Sequence, residues 1–263
     1  MLENIPIVVV DRESGRDFVT SLARGLAVMQ AFSQRKRHLT VSQISAQIGV
    51  SRAAVRRSLL TLVKLGFAGT EDEQHYFLCP KVLSLSQAYF FSTPIARVAQ
   101  PVLERLSGTL CESCSIATLD RCEVLYVARA AVSRIMSIDL SVGSRLPAFC
   151  TSMGRVLLAH LPSDRLDKYL GTVTLTRYTD RTVISVARLR RMLEIVAQNH
   201  YAIVDQELEF GLRSMAVAIR DRSGNVMAAL NVGCHAQRIT IRELQTTFLP
   251  HLRRAAQEIG DKL

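Results

Sequence analysis

The sequence predicts an α+β protein in two parts: an N-terminal winged helix-turn-helix and, behind linker helices, a larger C-terminal α+β domain. Three observations predict it. Residues 40–66, TVSQISAQIGVSRAAVRRSLLTLVKLG, hold two short helical patterns around a glycine. Two β-prone runs separated by a polar turn follow at once. Past residue 92, short apolar runs alternate with amphipathic helical patterns, as in a mostly antiparallel sheet flanked by helices. On this division residues 1–17 are a flexible arm, 18–79 the winged domain, 80–110 the linker helices and 93–263 a ligand-sensing domain.

The helix-turn-helix follows from local chemistry. The Thr40 hydroxyl can cap a helix, and Gln43 three residues later completes a capping box. Ile44 and Ile48 supply one apolar edge, and Gly49 ends the helix with a residue that tolerates a left-handed backbone. Ser51 caps the second helix, where Val55, Leu59, Leu62 and Val63 form the buried stripe. The opposite face is expected to carry Ala53, Ala54, Arg57, Thr61 and Lys64, with Arg52 and Arg56 on its flanks.

Charge separates this motif from an ordinary helical hairpin. From Phe18 to Thr70 there are eight Lys or Arg residues and no Asp or Glu. A solvated face normally mixes signs, so an acid-free span implies a polyanionic partner, double-stranded DNA. The candidate contact set is Thr40, Ser42, Gln43, Ser51, Arg52, Ala53, Ala54, Arg56 and Arg57, joined by Arg35, Lys36 and Arg37 from the basic loop before it. The net charge of +10 and pI near 9.7 agree with such a partner. With 48 % apolar and 21 % charged residues, well-filled cores are expected. No run is long enough to span a membrane, and Ile5–Val10 is too short and lacks the basic leader of a secretory signal.

In chain order, Phe18, Leu22, Leu26, Met29 and Phe32 fall at helical spacing and predict a first helix that packs against the next two. Phe67–Thr70 and His75–Leu78 form the wing, whose turn holds Glu71, Asp72 and Glu73; phosphates would repel it, so the tip is expected to point away from a duplex. Helices are expected over Lys81–Phe91 and from Thr93 to about Leu110, with Pro101 kinking or restarting the second. Strands are expected at Ser113–Leu119, Glu123–Ala130, Arg134–Leu140, Tyr201–Asp205, Met215–Arg220 and Val226–Gly233. Helices are expected at Thr151–His160, Ser185–Asn199 and Ile239–Ile259.

Candidate chemistry is sparse. Cys111-x-x-Cys114 with Cys122 nearby has no second pair at zinc-site spacing, so the six cysteines are expected to be buried reduced thiols, with no metal or cofactor. There is no phosphate-binding loop and no nucleophile elbow. Two stretches are more informative. Thr151-Ser152-Met153-Gly154 lies where the chain enters a helix, whose free N–H groups can hold a carboxylate or simply be capped. Asp205 and Glu207 follow an apolar strand, close to Arg213 and Ser214. Together they suggest a pocket of backbone donors, small polar side chains and a few charges.

These pieces resemble the isocitrate-lyase-regulator family of bacterial transcription factors over nearly the whole chain from Phe18. The resemblance rests on SLARGLAVMQAF, SRAAVRRSLLTL, LPAFCTSMGRVLLAHL and VDQELEFGLRSMAV in that order. RIMS (134–137), CTSMGR and DQELE make the chain similar to the subgroup controlling aromatic-acid breakdown through the β-ketoadipate pathway. The resemblance implies a GAF-like effector-binding domain, and a homodimer or dimer of dimers on a palindromic operator. It implies a small carboxylate effector such as 4-hydroxybenzoate, protocatechuate or β-ketoadipate. It further implies pocket positions at Ser152, Met153, Asp205, Leu212, Ser214, Asn231 and Gly233. Family members can carry Gly-Ala at the first two and serines at the last two, so the departures here suggest a pocket shaped for something other than a two- or three-carbon acid. Arg134 is the expected clamp for a ring carboxylate, with Arg145 and Arg155 as alternatives.

Two other readings remain. An enzyme acting on a small carboxylic acid would need a base and a partner group, and Asp205 with His160 or His235 is the available pairing. An adaptor would use the basic face to meet an acidic protein.

Overall fold

The starts of the two helices of the helix-turn-helix are set by side chains that satisfy otherwise unpaired backbone groups. The computed structural model of the protein describes residues 17–32, 36–85, 94–132 and 140–263. At Thr40 the capping box is complete: Gln43 N donates to Thr40 Oγ1 at 3.3 Å, and Thr40 N donates to Gln43 Oε1 at 2.8 Å. Helix α2 runs Val41–Ile48 from that box and stops at Gly49, whose φ is +68°. Ser51 Oγ accepts from Ala54 N at 3.4 Å to start α3, Arg52–Lys64. Helix α1, Thr20–Gln30, crosses both.

The chain divides into two compact units, Met1–Ser92 and Thr93–Leu263. In the first, β2 (Ala68–Thr70) and β3 (His75–Leu78) form the wing, and β1 (Leu39–Thr40) adds a third antiparallel strand, in the order β1-β3-β2. Ile44, Val55 and Leu59 are fully buried with Val28 and Ala31 of the α1 region. The α1 face expected to be buried is only partly so: Met29 and Phe32 are half-buried against the core. Phe18, Leu22 and Leu26 are exposed, while Ala27, Val28 and Ala31 fill the core. Small side chains allow α1 to approach α3 closely, and Phe18, Leu22 and Leu26 are left outside.

The second unit is a six-stranded, wholly antiparallel sheet in the order β6-β5-β4-β9-β8-β7. Its strands are β4 (Ser113–Asp120), β5 (Glu123–Ala130), β6 (Arg145–Pro147), β7 (Tyr201–Asp205), β8 (Leu212–Arg220) and β9 (Val226–His235). Helix α4 (Pro94–Leu110) and the C-terminal α9 (Leu249–Gly260) cover one face; α9 follows a short α8 (Ile241–Glu243) and a π-helical turn at Leu244–Phe248. Helices α5 (Ser152–Ala159), α6 (Ser163–Thr172) and α7 (Val186–Asn199) lie on the other. This is the α+β domain the alternating pattern predicts, with α6 and β6 as additions.

Some expectations change. Helix α4 runs unbroken through Pro101 instead of restarting there. Cys114, Cys150 and Cys234 are buried, and burial pushes each thiol up to about 12. Cys111, by contrast, is exposed, and Cys79 and Cys122 are half-buried. The 1–17 arm except Asp17, residues 86–91 of the expected linker helix and most of the expected strand at 134–140 lie outside the described residues.

Candidate functional site

In the first unit the candidate surface is the outer side of α2 and α3 with the loop before them. Ser42, Gln43, Ser51, Arg52, Ala53, Arg56 and Arg57 are exposed, as are Lys36 and Arg37. Thr40 is half-buried and held in its cap. Ala54 is not on this face: it is buried at 7 %, turned inward beside Val55. Arg35 lies outside the described residues. Among the described residues none of Arg52, Arg56, Arg57, Lys36 or Arg37 is in an ion pair. The surface is therefore a row of unneutralised cations on a helix held by its core stripe, able to meet phosphates and base edges. At the wing tip the Asp72 carboxylate folds back: Oδ1 accepts from Gln74 N and His75 N, and Oδ2 lies 2.6 Å from His75 Nδ1. The His75 side-chain bond and these backbone bonds hold its pKa well below the usual carboxylate range.

In the second unit the predicted pocket positions separate into two groups. Register puts Ser214 opposite both Gly233 and Val204, and Asn231 opposite both Ala216 and Ser115. These residues share the sheet face covered by α5, because directly paired residues project to the same side. Helix α5 starts over that face. Thr151 Oγ1 accepts from Gly154 N at 3.2 Å, so the cap uses threonine and leaves the next residue free to act. Ser152 and Met153 are each 1 % exposed, and Leu212 packs at the edge of the same cluster. Ser152 Oγ and Asn231 Oδ1 are buried with no hydrogen-bond partner, and a Cβ on Gly233 would meet open space. Buried polar atoms without partners are rare and costly, so they mark a place where a ligand can bond. Gly154 lets α5 come so close: a Cβ there would sit 2.1 Å from the Ala148 carbonyl oxygen.

Asp205 belongs to the other face. It pairs with Arg213, whose Nε donates to Asp205 Oδ1 at 2.8 Å, and Arg181 Nη1 donates to Oδ2. Burial raises its pKa, but the Arg213 hydrogen bond and the Arg213 and Arg181 charges outweigh this and leave it below the ordinary value. A groove of about 640 Å³ is lined by Asp205, Arg177, Arg181, Arg188, Ile184 and Ile241 among others, and includes none of the other predicted pocket positions. It is open and charged, whereas the α5-covered face carries the unpartnered polar atoms; the second is the better ligand site. The alternative pairings for an enzyme are absent among the described residues. His160 Nδ1 lies 2.8 Å from the Val156 carbonyl oxygen, and His235 Nδ1 accepts from Gln237 N.

Of the expected carboxylate clamps, Arg134 lies outside the described residues. Arg145 is held by Asp120 and Glu123 at the sheet edge. Arg155 is buried and paired with Glu207 at 2.6 Å. Sequence reasoning missed Ser115 and Arg129 on the α5-covered face; the signal was serine at alternate positions, 113 and 115, beside Cys114 and Ile116 of the opposite, core-facing set.

The chain matches the IclR helix-turn-helix domain over residues 21–72 and the bacterial transcriptional regulator IclR C-terminal domain over residues 87–261. It is 53 % identical over 248 residues to the Pca regulon regulatory protein of Pseudomonas putida, covering 94 % of this chain and 85 % of that protein. It is 34 % identical to the p-hydroxybenzoate hydroxylase transcriptional activator of Acinetobacter baylyi, covering 92 % of this chain and 91 % of that one. The crystal structure of an IclR homolog complexed with 4-hydroxybenzoate, from Microbacterium hydrocarbonoxydans, matches with a TM-score of 0.80 at 26 % identity, covering 91 % of this chain and 97 % of that one.

Proposed function

The chain belongs to the IclR family of bacterial transcriptional regulators, and we propose that it switches genes of aromatic-acid catabolism in response to a small hydroxylated or dicarboxylic acid. The effector class is 4-hydroxybenzoate, protocatechuate or β-ketoadipate, bound under the start of α5 against Ser152, Met153, Ser214, Asn231 and Gly233. The observation that carries this reading is the pair of buried, unpartnered atoms, Ser152 Oγ and Asn231 Oδ1, beside the open space at Gly233. The names of the two relatives and the ligand of the solved homolog support the class.

On this reading α3 enters the major groove, with Arg52, Arg56 and Arg57 at base edges or phosphates and Lys36 and Arg37 on the backbone. Two copies pair on a palindromic operator, as a dimer or a dimer of dimers, in the cytoplasm. The exposed apolar residues Phe18, just before α1, and Leu22 and Leu26 on it support pairing between copies. The effector biases one arrangement of the paired DNA-binding units by binding that arrangement more tightly.

Calorimetry of the purified chain against 4-hydroxybenzoate, protocatechuate, β-ketoadipate and pyruvate tests the effector class. Saturable binding to at least one of the first three, absent in Asn231→Leu, is expected. Binding of pyruvate alone would refute it.

A further inference from the structure

The polar row on the α5-covered face continues past Asn231 by two strands. Ser115 on β4 stands directly opposite Asn231, and Arg129 on β5 stands directly opposite Ser115. Ser115 is fully buried, and its Oγ accepts from Arg129 Nη1 at 2.9 Å. Arg129 Nε is itself buried without a hydrogen-bond partner, and among the described residues no carboxylate pairs with this guanidinium. Arg129 as a whole is half-buried, whereas Arg155, the wholly buried arginine of this unit, is neutralised by Glu207. A cation partly withdrawn from water, with one N–H wholly shielded and unbonded, gains from an anion that joins it. Arg129 thus offers a directed N–H donor and an uncompensated charge at one end of the row. Asn231 Oδ1 offers an acceptor further along it, with Ser152 Oγ as donor or acceptor on the helix above.

We propose that Arg129 holds the carboxylate of the effector, with Ser115 positioning its guanidinium, while Asn231 and Ser152 take the hydroxyl at the ligand's far end. The inference rests on the reading that this face binds a small hydroxylated carboxylate, and it names the group that selects for the charge. It makes the site specific for hydroxy acids over their neutral isosteres, since an amide in place of the carboxylate loses the charge-assisted bond and leaves the half-buried guanidinium unpaired.

The test is calorimetry with 4-hydroxybenzoate and 4-hydroxybenzamide on the full-length wild type, Arg129→Gln, Arg129→Lys and Ser115→Ala. The wild type is expected to prefer the acid by roughly 10- to 100-fold, the size of a charge-assisted hydrogen bond. Arg129→Gln should abolish that preference by losing acid affinity while amide affinity stays nearly constant. Arg129→Lys should retain part of it, because a point charge survives without the fork. Ser115→Ala should lower the acid-to-amide ratio, which a purely structural effect would not change. An unaltered ratio in Arg129→Gln overturns the assignment but leaves the effector reading standing. Equal affinity of the wild type for acid and amide overturns it without any variant. A wild type that binds none of 4-hydroxybenzoate, protocatechuate and β-ketoadipate removes the effector reading and this inference with it.

Discussion

Arg155 donates from Nη2 to Glu207 Oε2 at 2.6 Å, with both side chains almost wholly buried. The same guanidinium donates from Nε to the Phe149 carbonyl oxygen at 3.0 Å, and Glu207 Oε2 also accepts from Val183 N at 3.1 Å. One ion pair thus ties α5, the segment leading into it, the loop after β7 and the chain at 183. That pins the start of α5 over the face where Ser152 and Asn231 lie.

Removing one partner of this pair should be severe. Glu207→Ala leaves a buried guanidinium uncompensated, which costs about 3–5 kcal/mol, whereas Arg155→Met with Glu207→Leu should be milder because no charge is stranded. Urea denaturation of the three proteins measures both. A single variant as stable as wild type would show that water reaches the pair.

Gly154→Ala should destabilise for a different reason. The new Cβ would meet the Ala148 carbonyl oxygen and Cα at 2.1 and 2.4 Å, which are backbone atoms and cannot swing aside. Helix propensity alone favours alanine by about 1 kcal/mol, so a net loss of about 1–3 kcal/mol would report the clash. Thermal melting decides the sign.

Arg57→Ala should weaken operator binding without affecting the fold, because the side chain is exposed and has no ion pair among the described residues. A guanine contact would cost about 1–3 kcal/mol and be sequence-selective, while a phosphate contact would weaken all sequences alike and lower the salt slope by about 1. Gel shifts across salt concentrations separate the two. Affinity equal to wild type at every salt would remove Arg57 from the interface.

Asp205→Asn should reveal an acid-dependent contribution. Because its folded pKa lies below the ordinary 3.8, the carboxylate stabilises the fold fully above that value and loses its contribution as pH falls through the lowered one. The variant should be less stable than wild type by about 1.5 kcal/mol at pH 7, the low end for a charged hydrogen bond because the Arg181 side is solvated. The gap should close below pH 3.8. Ring-acid affinity should survive, since Asp205 lies on the other sheet face. Loss of binding would return it to the pocket.

Much of the first unit was legible because its determinants are local. Thr40 and Gln43 close their box within one turn, Gly49 supplies the left-handed stop, and the wing strands are separated by one polar turn. The misplacements came where two faces competed. Helix α1 has large apolar residues on one side and Ala27, Val28 and Ala31 on another, and periodicity does not say which side a neighbour can approach. Ala54 adjoins the stripe residue Val55, and the fit against the core turned it inward. Strand β6 is three residues long and ends on Pro147, too little for a pattern to register.

By itself, then, the sequence determined where α2, α3 and the wing hairpin begin and end, and that one helix presents cations without acids. Capping, turn and charge chemistry act between residues a few positions apart. Only the tertiary structure decided which groups share a face of the sheet. Asp205 and Ser214 fall in one short stretch yet face opposite sides of the sheet, while Arg129, Ser115 and Asn231, distant along the chain, stand side by side. Strand register sets those neighbours, and register depends on pairing across the whole sheet, including the bulge at Ile116/Ala117.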